Sequence, residues 1–191
     1  MAELQGNELT LKRVEFNEIF AEFENLVVYK PQLPLGKNWG YFGPVAFNTE
    51  GGINLHRPQE GLIVLAKDGS DALGEIRDWE PVFVDIEQRK FSTWRGIPKD
   101  PSKYAVIGEV FVTGVEKPKE ERTLGIKAIR RDLIAERQPH HLVWQRRLPK
   151  AILSLWDILV VDLLHVATGA FVSTGGPNPD DLRLGVVRFN A

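Results

Sequence analysis

The feature that most constrains this chain is that it writes one pattern three times. The strand "GEVFV" from Gly108 has partners in "GPVAF" from Gly43 and "GAFVS" from Gly169. A turn proline follows each: Pro58 in "HRPQEG", Pro118 in "EKPKEE" and Pro179 in "PNPDDL". After each turn comes a further strand, "GLIVLAKD" from Gly61, "LGIKAIRRD" from Leu124 and "LRLGVVRFN" from Leu182. Ahead of each glycine lie a strand with an aromatic residue near its end (Tyr29, Phe83, Trp144) and a tryptophan (Trp39, Trp94, Trp156). Five features recurring in one order every ~60 residues mark a repeat architecture.

The repeats are written in β vocabulary, short runs of Val, Ile, Phe, Trp and Tyr punctuated by Gly and Pro. A unit of about four strands cannot bury both faces of a sheet by itself. Three such sheets sharing a core, with a tryptophan filling the space beside a Cβ-free glycine, predict an all-β chain. The expected form is a pseudo-threefold β-prism of three roughly four-stranded antiparallel sheets. A β-trefoil, whose repeat is shorter, ranks second and a β-sandwich third. The single β-prism domain is expected over 26–191, with repeats at approximately 26–70, 78–134 and 140–191.

Ahead of it, Phe16, Ile19, Phe20, Phe23 and Val27 fall at i, i+3, i+4, i+7 and i+11. That spacing predicts a short N-terminal amphipathic helix over 10–27, with Asn7 or Thr10 as its cap. Residues 1–25 are then a helical extension, and the apolar face of the helix a docking element for a protein partner.

A chain of 191 residues suits one domain, and a formal net charge of −2 exerts no pull toward nucleic acid. The absence of cysteine excludes disulfides, thiolate zinc sites and cysteine nucleophiles. The apolar stretch from Ala151 to Val172 is interrupted by Asp157, Asp162 and His165, so no transmembrane span is expected. The start of the sequence carries no apolar signal region, which makes cytoplasmic the default reading. Release by lysis or a non-classical route is equally compatible with it.

Chemistry-bearing residues are sparse. His140 and His141 are adjacent, and neighbours on a strand point to opposite faces, which does not favour joint chelation. His56 and His165 are isolated. "DGSD", with Asp68 and Asp71, has the carboxylates of a calcium or sugar loop and equally the composition of a plain turn. "STGGPNPDD" lacks the lysine and following helix of a phosphate loop, and no G-x-S-x-G elbow is present. The paired carboxylates Glu120–Glu121 and Asp180–Asp181 fall in the repeated turns. No catalytic residue, metal ligand or cofactor is therefore assigned. Arg130, Arg131, Arg146, Arg147, Lys117 and Lys119 form a candidate basic patch for anionic lipid headgroups, against the plainer reading of charges that protect strand edges.

The stretch "KYAVIGEVFVTGVEKPKEERTLGIKAIRRDLI" (Lys103 to Ile134), preceded by "WRGIP" at Trp94 to Pro98, resembles the vacuolar protein sorting-associated protein 62 family, whose relatives include plant domains of unknown function. Tyr104, Gly108, Val110, Lys117, Pro118, Arg130, Asp132 and Leu133 occupy that family's pattern. "GLIVLAKDGSDAL", "DWEPVF", "HLVWQ", "LSLWDIL" and "ATGAFVS" are similar to its other segments, so that the likeness spans roughly 26–191. The family's turn between its VW and W segments is replaced here by "QRRLPKAIL". The resemblance implies a three-sheet β-prism, an association with protein sorting or with pore-forming domains, and no shared catalytic residues. The expected function is a non-catalytic binding module for a membrane surface or a glycan. The alternative is an enzyme or biosynthetic accessory protein with a small-molecule pocket in the prism, and a third reading is a structural partner subunit.

Overall fold

The computed structural model describes residues 3–50, 59–159 and 161–188. The turn proline Pro58 and His56 lie outside these residues. About half of the described residues lie in β-strands and almost none in helices, and the strands divide into six small antiparallel sheets rather than three larger ones.

One strand order runs three times. In the first copy, β2 (Leu9–Glu15) leads into the hairpin β3 (Glu18–Phe23) and β4 (Leu26–Lys30), then β5 (Gly40–Tyr41), β6 (Val45–Asn48) and β7 (Glu60–Ala66). The second copy is β8 (Leu73–Gly74), β9 (Ile76–Val84), β10 (Phe91–Pro98), β11 (Tyr104–Ala105), β12 (Glu109–Thr113) and β13 (Ala128–Arg130). The third is β14 (Ile134–Arg137), β15 (His141–Arg147), β16 (Ile152–Asp157), β17 (His165–Val166), β18 (Val172–Thr174) and β19 (Leu184–Arg188). Each hairpin adds its later strand to give the sheets β3-β4-β6, β9-β10-β12 and β15-β16-β18. The remaining strands give β2-β7-β5, β8-β13-β11 and β14-β19-β17, with β1 (Glu3–Gln5) extending the first of these.

Register makes the copies superimposable. Each hairpin carries a β-bulge at the same place, skipping Phe20, Val82 and Val143 in turn. Beyond each bulge, Tyr29 pairs with Val45, Trp94 with Val110 and Trp156 with Val172. Tyr29, not Trp39, is therefore the first-copy counterpart of the two later tryptophans. The same register equates Gly43, Gly108 and Ala170, one position beyond the sequence match at Gly169. These three meet: a Cβ on Gly108 would lie 2.6 Å from the Ala170 Cβ, and one on Gly43 3.3 Å from it and 3.5 Å from the Gly108 Cα. Mutual contact among three equivalent positions places the junction of the copies there.

The N-terminal helix does not form. Residues 10–27 make β2, the β3–β4 hairpin and its two-residue turn, Glu24–Asn25, with Glu24 at φ 52°. The helical spacing of Phe16, Phe20 and Phe23 has two other causes. A corner separates Phe16 from β3, and the bulge at Phe20 shifts the inward phase of the strand by one residue. Phe16 and Phe20 are fully buried, and β2 pairs with β7 along seven residues, so long-range pairing overrides a local periodicity. The described part of the expected helical extension, 3–25, is accordingly β-strand and turn, and it presents no apolar helix face to dock a partner.

The interior consists of two clusters. One is dominated by the hairpin sheets, where Phe91 stacks on Phe111 at 5.7 Å and Trp144 stands edge-on to both at 6.5 and 6.0 Å. The other gathers Leu9, Leu11, Ile129 and Val186 from the second set of sheets, with Phe42 and Ile107 from the segments that follow β5 and β11.

Candidate functional site

The basic residues singled out in the sequence divide into pairs with separate partners. Arg130 ends β13 with only 18% of its side chain exposed, and it is saturated by carboxylates: Glu8, Asp71 and Asp132 all accept from it. Those contacts, Glu8 first, hold its guanidinium still more firmly protonated. Asp71 also pairs with Lys103, and these two cations, Lys103 foremost, keep Asp71 below the usual carboxylate range. The "DGSD" loop is thus sewn to its neighbours through Asp71, while Asp68 is exposed. Arg131 donates twice to the Pro101 carbonyl, at 3.1 and 2.8 Å. Arg146 pairs with Glu24 at 2.8 Å and lies over the Phe23 ring at 5.6 Å. Lys117 pairs with Asp78 at 2.7 Å. Lys119 and Arg147 are exposed and have no ion-pair partner among the described residues. No partner is shared among these pairs, and carboxylates on other elements offset the charge of Arg130, Arg146 and Lys117.

A different feature stands out. The loop between β16 and β17 lifts three leucines into solvent: Leu159, Leu163 and Leu164 are 60%, 97% and 67% exposed. Its conformation is set by polar contacts at its base. The Asp162 carboxylate accepts the Leu164 N–H at 2.8 Å and pairs with His165 Nδ1 at 2.7 Å. Arg137 approaches its other oxygen at 3.6 Å. His165, followed by the Leu164 N–H, holds Asp162 below the ordinary carboxylate range. On the other side the Leu159 N–H donates to His140 Nε2 at 3.3 Å. The polar groups are thus tied down beneath, Val161 packs on the core, and the three leucines project. The equivalent loop of the second copy, 99–103, reads "KDPSK", and that of the first, 31–39, exposes Leu35 alone among its large apolar residues.

At the foot of the leucine loop a cleft of about 510 Å³ opens, and Leu159 lines it. Arg13 and Glu60 enter it from β2 and β7. Their ladder pairs Arg13 with Leu62 and Glu15 with Glu60, so both project from one face as diagonal neighbours, with Cα atoms about 7–8 Å apart. Arg13 spends one N–H on the Ala167 carbonyl at 3.1 Å, and no described residue pairs with the Glu60 carboxylate. His141 faces them, with Nδ1 2.6 Å from Asp157 Oδ1. Asp157 raises the His141 pKa, which keeps the imidazole cationic to higher pH, and its Nε2 has no partner among the described residues. Apolar walls come from Val45, Leu142 and Ile158.

A second cleft, of about 400 Å³, lies between the start of β9 and the short helix α1 (Glu120–Thr123). Trp79 and the Lys117–Asp78 pair line it.

Sequence reasoning missed the leucine loop because "LVVDLLHV" reads as core, and nothing in composition distinguishes a buried leucine from a raised one. The available signal was the comparison of equivalent loops, in which the third copy alone has a cluster of leucines around an aspartate.

Small antiparallel sheets in a thrice-repeated strand order define the class of the chain as all-β. No protein-family model and no curated protein matches it. Among solved structures, the crystal structure of GNIP1Aa from Chromobacterium piscinae matches with a TM-score of 0.73 at 17% identity, over 95% of this chain and 37% of that one. The likeness is one of fold, and this chain spans little more than a third of GNIP1Aa. No helix among the described residues is long and apolar enough to cross a membrane.

Proposed function

We propose that this chain is a non-catalytic module that binds a membrane surface, engaging it through the Leu159–Leu164 loop. The observation that carries this reading is the cluster of three exposed leucines on one loop whose polar groups are satisfied at its base. A leucine taken wholly out of water contributes roughly 1.5–3 kcal/mol. Two inserted tips therefore supply about 3–6 kcal/mol, comparable with a single acyl anchor and suited to reversible adsorption. In this reading the three copies form a β-prism of the vacuolar protein sorting-associated protein 62 type, serving as the surface-recognition part of a sorting- or toxin-associated system. The resemblance in 94–134 supports the family assignment, and a matching fold that forms only part of a longer chain in GNIP1Aa supports the reading of this chain as one module. The paired state of Arg130 and Arg146 favours apolar insertion over an anionic-lipid patch.

Co-sedimentation with vesicles tests the reading. Wild type is expected to pellet with uncharged phosphatidylcholine–phosphatidylethanolamine vesicles with little dependence on salt, because apolar insertion is not screened. The double variant Leu163→Ser/Leu164→Ser should stay in the supernatant while melting like wild type, since neither side chain is packed. Binding confined to anionic vesicles and lost with salt would return the function to the basic residues.

A further inference from the structure

Resting on the membrane reading just given, we propose that the cleft beside the loop receives a phosphoethanolamine group. Its phosphodiester would sit on Arg13 and His141, and its ammonium on Glu60. Three observations lead there. First, Leu159 belongs both to the raised loop and to the cleft wall, so a headgroup at the depth of the loop's foot lies at the cleft mouth. Second, the unsatisfied polar groups are of both signs. Arg13 retains most of its N–H donors and His141 its Nε2, while Glu60 is an acceptor with no described partner. Third, the charges lining the cleft balance, Arg13 against Glu60 and His141 against the Asp157 behind it, while Glu15, across the ladder from Glu60, lies outside the lining.

This balance selects the ligand. A purely anionic group would leave the Glu60 carboxylate unpaired beside it, whereas a zwitterion with a two-carbon spacer satisfies a cation and a carboxylate held on one face of the β2–β7 ladder. A primary ammonium donates hydrogen bonds to a carboxylate. A quaternary one prefers an aromatic cage, and Phe47 is the single aromatic residue among the described residues lining the cleft. Asn48 and Gln59 add neutral polar groups to the lining, and the other walls are apolar, as is usual for a small-ligand site.

The test uses the full chain and soluble glycerophosphoethanolamine, followed by isothermal titration. Binding by wild type is expected, weakened about tenfold or more in Arg13→Gln and in Glu60→Gln, the cost of one charge-assisted contact. Arg13→Gln forfeits the bond to the Ala167 carbonyl and could lose fold with it, but Glu60→Gln has no described contact to lose and carries the test alone. Leu163→Ser should titrate like wild type while failing to bind vesicles, which separates failure of the cleft from failure of the loop. The source of the group is read from a second arm. Preference for phosphatidylethanolamine over phosphatidylcholine vesicles, lost in Glu60→Gln, identifies the lipid. Soluble binding without that preference identifies a free phosphoethanolamine compound. The proposal is overturned if Glu60→Gln binds glycerophosphoethanolamine as wild type does, if inorganic phosphate binds equally well, or if wild type shows no binding.

Discussion

Glu109 is the residue whose chemistry departs furthest from its surroundings. Register equates it with Pro44 and Phe171, yet here a carboxyl stands in the interior at 2% exposure. Ser173 donates its backbone N–H at 3.1 Å and its hydroxyl as well, and Arg95 stands 4.0 Å away. Burial outweighs these contacts and pushes the pKa up from 4.5 to about 7. Because the folded pKa exceeds the unfolded one, the contribution of Glu109 to stability is whole below pH 4.5, declines as pH rises toward 7, and stays lost above that. Glu109→Gln, which keeps an oxygen for Ser173, should remove this decline and be the more stable protein at pH 8 by roughly 3 kcal/mol. Thermal melts of both proteins across that window check it; parallel profiles would mean that Glu109 is ionised throughout. The two equivalent tryptophans offer a second test at this scale. Trp94 and Trp156 are each 8% exposed, but Trp94 Nε1 donates to Ser92 Oγ at 2.8 Å, whereas Trp156 Nε1 has no partner among the described residues. Replacement of either by Ala should cost roughly 3–5 kcal/mol. Replacement by Phe should cost about 1 kcal/mol more at 94 than at 156, since only the former breaks a hydrogen bond. Equal losses in chemical denaturation would contradict that assignment.

Among the elements, the hairpins show how far the sequence could be read. The recurrence of glycine, aromatic residue and strand was legible, because a junction of three copies needs small residues and a large ring beside them. Its phase was not. Ala170 takes the third small position with Gly169 directly before it, and Tyr29 takes the aromatic position while Trp39 lies nearby in a loop, so matching identical letters slid the copies by a residue or more. The same bulge that skips Phe20 produced a helical period in a strand, an error no local pattern can correct because the partners of β2 lie about fifty residues away, on β7. The basic pairs were legible as charge, but the carboxylates that engage them, Glu8, Glu24 and Asp78, come from other elements and are invisible to a linear reading. The candidate site escaped for the opposite reason: its leucines are chemically ordinary, and only their exposure marks them.

For the whole molecule, everything depends on three copies meeting at Gly43, Gly108 and Ala170. Gly108→Ala would bring two methyl groups to 2.6 Å, so strands from different copies must part, at a cost of roughly 1–3 kcal/mol. The further change Ala170→Gly should restore much of that stability, a coupling absent if the two positions act independently. Around this junction equivalent loops have diverged, and one of them has become the apolar prominence on which the functional account rests. The chain has no cysteine, so Leu163→Cys carrying an environment-sensitive fluorophore reports on that loop alone. Mixed with uncharged phosphatidylcholine–phosphatidylethanolamine vesicles, the label should shift to the blue and be quenched by brominated acyl chains. A spectrum unchanged by vesicles, with the protein either free or bound, would show that the leucine loop does not enter the membrane and would contradict the account.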